Sequence, residues 1–106
     1  MPPLPALTPE ERAAALEKAA RARKERAEVK DRLKHGTTTL PDVLRYAAGD
    51  EVLAGTKVLA LIRSVPGVGK VRAAQIMERL GIAESRRVRG LGQNQRQALM
   101  EEVATA

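Results

Sequence analysis

The chain has 106 residues, enough for one small domain. Lysine and arginine total 19 against 13 acidic residues, so the net charge of +6 favours a nucleic acid or another anionic partner. There is no cysteine and one histidine, which excludes disulfides and thiolate catalysis and leaves little material for a metal centre. Tyr46 is the only aromatic residue, which disfavours proteins that stack unpaired bases on aromatic rings.

The first residues, Met1–Leu7, are proline-rich and are expected to form an extended arm. They lack the charged start and apolar core of a signal peptide. No apolar run in the chain is long enough to span a bilayer. We therefore expect a soluble, cytoplasmic protein that makes no membrane contact.

A long helix is predicted next, with Thr8 as its N-cap and Gly36 as its C-terminal stop, so that it ends near Lys34 or His35. Its apolar seam consists of alanines in the first half and finishes with Val29 and Leu33. Because alanine buries little apolar area, we expect the N-terminal half to project and the C-terminal end to dock.

The second half of this helix is basic, with seven lysines and arginines against three acidic residues between positions 21 and 34. One interpretation is a solvated face stabilised by pairs four residues apart, such as Glu28–Arg32. The other is a second phosphate-facing surface, and the sequence leaves both open. The residues of this candidate surface are Arg21, Arg23, Lys24, Lys30, Arg32 and Lys34.

A short helix is predicted from Thr39, its N-cap, to about Ala48, and Gly49 follows as its stop. Residues 50–54 are expected to form a short turn, with a helical turn as the alternative, and Gly55 closes it. The chain then enters two helices, because apolar residues recur at helical spacing on both sides of a glycine-containing connection. These apolar residues are Val58, Leu61, Ile62 and Val65 before the connection and Ala73, Ile76, Met77 and Leu80 after it.

The connection itself is the most informative stretch, and we call residues 65–72 the hairpin. Pro66 ends the first helix, while Gly67 and Gly69 permit positive φ and close approach of a ligand to the backbone. The amides of residues 67–70 are expected to point outward at a helix start, beside the charges of Lys70 and Arg72, which suits an anion. An ordinary turn between helices is the plainer alternative.

A nucleotide-binding P-loop is excluded as the explanation of this stretch. Ser64 stands where that motif requires its first glycine, and Val71 stands where it requires a serine or threonine for magnesium. The segment before the hairpin is also predicted to be a helix, whereas a P-loop follows a strand. The anion that fits the hairpin is therefore a phosphate of a nucleic-acid backbone.

A second basic cluster lies between residues 85 and 92. Val88 and Leu91 are expected to anchor it on the core and to leave Arg86, Arg87 and Arg89 outward, with Gly90 keeping the backbone adaptable. The arginines suit phosphate or a narrow minor groove, although a solvated loop is the alternative. A last helix, about residues 93–103, follows.

The hairpin resembles the helix-hairpin-helix and helix-two-turns-helix motifs. Together with residues 12–34, 71–80 and 85–92, it makes the chain similar to the actinobacterial integration host factor family. The similarity covers most of the chain and is weakest over residues 37–56. It implies an all-α, nucleoid-associated protein that binds and bends duplex DNA. The DNA-binding residues expected on this basis are Pro66, Gly67, Val68, Gly69, Lys70, Arg72, Arg86, Arg87, Arg89 and Gly90.

We accordingly expect an arm and long basic helix over residues 1–35 and a compact helical DNA-binding domain over residues 36–106. The protein is expected to act as a monomer without cofactor or catalytic site. Its expected partner is double-stranded DNA, gripped through phosphates with low sequence specificity. A ribosomal or structured-RNA-binding protein that uses the same motif is the alternative.

Overall fold

The structure is a computed structural model that describes residues 6–104; most of the predicted N-terminal arm, Met1–Pro5, lies outside the described residues. Within the described range, six α-helices and two short 3₁₀ turns, 47–49 and 88–90, account for the regular structure, and no sheet forms. This confirms the all-α fold. The α-helices are α1 (Pro9–Lys34), α2 (Leu40–Tyr46), α3 (Glu51–Ala54), α4 (Val58–Ser64), α5 (Lys70–Arg79) and α6 (Gln93–Ala104).

Side-chain caps begin the first three helices. The Thr8 hydroxyl accepts from the Glu11 amide at 3.0 Å, and the Thr39 hydroxyl accepts from the Asp42 amide at 3.3 Å. Both caps were predicted from the sequence. The Asp50 carboxylate accepts from two amides at the start of α3, at 2.9 and 3.2 Å. With this cap, the segment predicted as a short turn forms one turn of α-helix.

The end of α2 differs from the prediction by two residues. The α-helix α2 ends at Tyr46, not Ala48, and the chain tightens into the 3₁₀ turn 47–49. The physical reason is the short distance to Asp50, which must adopt an extended conformation (φ −134°) to cap α3. The α5 helix begins at Lys70, directly after Gly69, which is its N-cap.

The long helix α1 is free at one end and docked at the other. Its 26 residues span about 39 Å, and residues 9–21 are all exposed. Toward its C-terminus, Val29 packs against the core and Leu33 is 2% exposed, and α1 packs against α4 and α3. The predicted projection and docking are both confirmed. Among the helices described in residues 6–104, none is long and apolar enough to cross a bilayer.

The core is aliphatic and small, and it is centred on the two helices that flank the hairpin. Three of the four predicted seam residues on each of these helices are fully buried, whereas Val65 and Leu80 are half-buried at the helix ends. Side chains from all the other helices complete the cluster. The buried apolar residues are Leu33, Leu40, Val43, Leu44, Ala47, Leu53, Val58, Leu61, Ile62, Val68, Ala73, Ile76, Met77, Ile82, Val88 and Leu99.

An isolated antiparallel bridge pairs Lys57 with Arg87, and no pattern in the sequence predicted it. The Val58 amide donates to the Arg86 carbonyl, and the Val88 amide donates to the Thr56 carbonyl, both at 3.0 Å. These two bonds attach the segment of the three arginines to the start of α4. We call residues 86–90 the arginine turn.

Candidate nucleic-acid interface

The hairpin backbone presents free donors. Gly67 and Gly69 have φ values of +82° and +46°, so both occupy the region that favours glycine. Among the described residues, none accepts a hydrogen bond from the amides of Gly67, Gly69 or Lys70. Because the Lys70 amide starts α5, the positive end of the helix dipole adds to these donors.

Val68 is the exception within the hairpin. Its side chain is 1% exposed and belongs to the core, and its amide donates to the Val65 carbonyl at 3.1 Å. The expectation that all the amides of residues 67–70 point outward is therefore wrong for Val68, whereas its role as a DNA-binding residue stays a prediction. A turn between two packed helices has an inner side, and an apolar residue between two glycines is the one that can fill it.

A cavity of about 540 Å³ adjoins the hairpin, and we call it the hairpin cavity. Its cations come from α1 and α4, not from α5: Lys30, Lys34 and Arg63 line it. The hairpin contributes Gly67 and Gly69 to the same wall. No aspartate or glutamate of the described chain lines it, so its wall holds three cations and two glycines whose amides have no partner in the described chain.

The two predicted hairpin cations lie beside this cavity rather than in its wall. Lys70 and Arg72 are both exposed. Lys70 lines a separate surface depression together with Val71, which is 71% exposed. Pro66, which the sequence also singled out, is exposed and lines the hairpin cavity.

The candidate second surface on α1 divides into two groups. Lys30 and Lys34 reach the hairpin cavity, so this part of α1 shares a face with the hairpin. Arg21 instead pairs with Glu17 at 3.8 Å on the projecting half. The remaining members are exposed and line none of the described cavities: Arg23, Lys24 and Arg32.

The three arginines of the arginine turn are exposed, as predicted, but two of their guanidinium groups bind the protein's own backbone. Arg86 donates to the Gly90 carbonyl at 2.8 Å, and Arg87 donates to the Gly55 carbonyl. A Cβ on Gly90 would lie 2.9 Å from the Arg86 side chain, so Gly90 makes room for that bond. Arg89 has no hydrogen-bond or ion-pair partner among the described residues.

The two basic clusters lie at opposite ends of α4. The arginine turn is attached to the start of the helix and the hairpin follows its end, a separation of roughly 10 Å for seven residues. A smaller cavity of about 230 Å³ lies near the start of α4, and we call it the four-cation cavity. The cations in its wall are Arg26, Lys30, Lys57 and Arg87.

Three cations of the two cavities were missed by the predictions from sequence. Arg26, Lys57 and Arg63 were not among the candidate site residues, although all three line these basic walls. A signal existed for the first, because Arg26, Lys30 and Lys34 are spaced four residues apart and so share one helix face. Lys30 lines both cavities, which makes the α1–α4 face continuous.

Comparison with known proteins finds one matching domain family and relatives that share one name. Residues 33–103 match the family of S13-like H2TH domains. The chain is 65% identical over 99 residues to an integration host factor of Streptomyces coelicolor, covering 93% of this chain and 92% of that protein. It is 59% identical over 103 residues to an integration host factor of Mycobacterium tuberculosis, covering 97% and 98% respectively.

A solved structure is similar over most of the chain. It is described as sIHF bound to an 8-bp palindromic DNA, and it superimposes with a TM-score of 0.79 at 61% sequence identity. The match covers 82% of this chain and 98% of that chain.

Proposed function

This chain belongs to the integration host factor family and carries an S13-like H2TH domain, and on that premise we propose that it binds and bends duplex DNA. It grips phosphates with low sequence specificity and serves an architectural role in chromosome organisation, recombination and transcription. It acts as a monomer in the cytoplasmic nucleoid, without catalysis or cofactor. The relative whose structure was solved on DNA supports duplex DNA as the partner.

The observation that carries the proposal is the hairpin cavity. Free amides of Gly67 and Gly69 stand beside Lys30, Lys34 and Arg63, with no acidic residue in the wall. A phosphodiester offers the acceptors and the negative charge that this arrangement lacks. Because amides and cations read phosphates rather than base edges, the selectivity expected is for duplex shape rather than for sequence.

Bending follows from the second contact. The arginine turn lies roughly 10 Å from the hairpin along α4, and Lys30 makes the basic face between them continuous. Smooth bending of a short duplex costs on the order of 1–6 kcal/mol, which contacts at two displaced points offset. We propose that the hairpin holds the duplex and that the arginine turn bends it around the helical domain.

The proposed domain division, residues 1–35 and 36–106, is supported by the exposed half of α1 and limited by Leu33, which belongs to the common core. Structured RNA is the competing partner. Direct competition between a 20-bp DNA duplex and a folded RNA of equal length decides between them: preferential release by RNA would refute the proposal.

The test of the grip is the salt dependence of duplex binding. The slope of log K against log salt is negative, and each lost phosphate contact reduces its magnitude by about 0.9. Two double variants probe the hairpin: Lys34→Gln with Arg63→Gln for the cavity wall, and Lys70→Ala with Arg72→Ala for the predicted cations. We expect each pair to reduce this magnitude by up to about two such units.

The matched control removes one positive charge elsewhere. Arg45→Gln changes an exposed residue of α2 that pairs with Asp42 on its own helix. We expect its slope to equal that of the unmodified protein. Unchanged slopes in both hairpin variants, with the proteins folded, would show that the hairpin is not the phosphate grip.

A further inference from the structure

The four-cation cavity is a charged site that the hairpin does not explain. It is open to solvent and is lined by α1, the start of α4 and the arginine turn, and its volume is about 230 Å³. Arg26 and Lys30 come from α1, Lys57 precedes α4, and Arg87 belongs to the arginine turn. In the part of the chain described, no aspartate or glutamate lines the wall, and the nearest carboxylate on α1, that of Glu25, interacts electrostatically with Arg26 from outside the wall.

The backbone holds two of these cations together. Lys57 and Arg87 are directly opposite each other in the antiparallel bridge, and both line the cavity. Like charges in directly opposed positions are destabilising unless something between them compensates. The bond from Arg87 to the Gly55 carbonyl fixes its guanidinium in place, so the fold does not relieve the repulsion by releasing that side chain.

A second observation is an unused donor. The Nε atom of Arg26 is buried and has no hydrogen-bond partner. A buried N–H of a guanidinium group without an acceptor is costly, and native proteins usually supply one. A small anion with several acceptor oxygens would satisfy both the charge excess and the unpaired donor.

We propose that the four-cation cavity binds one phosphate group. Two arginine forks supply paired N–H donors, and two lysines supply point charges, which is the donor set that suits phosphate. The phosphate is a backbone phosphodiester of the bound duplex or a free phosphate ion. The first source rests on the proposed function, and it makes this cavity the second point at which the protein holds DNA.

The site is tested first without DNA. Inorganic phosphate is titrated into the full chain at constant ionic strength, balanced with chloride, while nitrogen–proton NMR follows the amides of Thr56 and Lys57 and the Nε–H of Arg26. We expect saturable shifts at these three groups. The shifts should disappear in Lys57→Gln, whose backbone still forms the bridge, and persist in the control Arg45→Gln.

Addition of duplex DNA then distinguishes the sources. If DNA displaces the bound phosphate and reverses the shifts, and if the salt slope of DNA binding is shallower by about 0.9 in Lys57→Gln, the site holds a backbone phosphate. Retention of bound phosphate at saturating duplex assigns it to the free ion. Non-saturating shifts in the unmodified protein would overturn the site itself. Failure of the unmodified protein to bind duplex would instead refute the proposed function and leave the phosphate titration standing.

Discussion

Replacement of Gly69 by valine tests the hairpin through its backbone. Gly69 has φ +46° and ψ −179°, a conformation that residues with a side chain rarely adopt. A Cβ added there meets no atom within 4 Å, so the cost comes from backbone strain and not from a clash. Such strain costs about 1–3 kcal/mol, and for a domain of this size each kcal/mol lowers Tm by about 4–8 °C.

We therefore expect Gly69→Val to lower Tm by roughly 4–24 °C, on the strain estimate above, and to weaken duplex binding. The loss of affinity has two causes: the β-branched side chain blocks close approach to the backbone, and relief of the strain reorients the free amides of residues 69 and 70. Circular dichroism during heating measures the change in Tm. Fluorescence anisotropy of a labelled duplex measures the affinity at a temperature where the variant is folded.

The matched control is Gly49→Val. Gly49 has ordinary negative φ and the same open space where a Cβ would stand, and it lies away from both basic cavities. Its Tm and affinity should change much less than those of Gly69→Val. A folded Gly69→Val protein with unmodified Tm and full affinity would refute the inference that this glycine is required for the phosphate grip.

Deletion of residues 1–20 should leave cooperative thermal unfolding intact, because residues 9–21 are exposed and contribute nothing to the core; loss of the transition would show that α1 is docked along its length. Alanine at all three arginines of the arginine turn should preserve weak binding through the hairpin but relax the DNA toward straight. Energy transfer between dyes at the duplex ends, at saturating protein, reports this, and an unchanged distance would place the bending contact elsewhere. Burial, with the Asp50 carboxyl nearby, raises the pKa of Glu25 in the folded protein. Protonation of Glu25 therefore stabilises the folded state: this contribution is complete below the pKa of Glu25 in the unfolded chain and is lost as pH rises through its pKa in the folded protein. Glu25→Gln should thus raise Tm at pH 7, with a gain that shrinks toward pH values below about 4.3, the ordinary glutamate pKa; an equal gain at both pH values would contradict this reasoning.

The local features of the fold were predictable from the sequence because short-range physics decides them. The caps at Thr8 and Thr39 require only a hydroxyl within reach of an amide three residues on. The positive φ of Gly67 and Gly69 follows from a chain reversal between two apolar seams. The alanine-rich first half of α1 lacks the area to dock, and it is exposed. These are properties of neighbours in the chain.

Tertiary packing decided what no local pattern specifies: which distant cations share a wall. Lys34 and Arg63 lie 29 positions apart in sequence but line one cavity, because α1 packs against α4. The Lys57–Arg87 bridge depends on backbone hydrogen bonds between segments about thirty positions apart in the sequence. The charged residues show no periodic pattern that would predict this pairing. The burial of Val68 has the same cause, since only packing shows that the hairpin has an inner side. Local sequence thus determined the helices and the glycine-containing turn, whereas long-range contacts determined which charges stand beside it, because those contacts are fixed by burial of the apolar faces and not by the charges themselves.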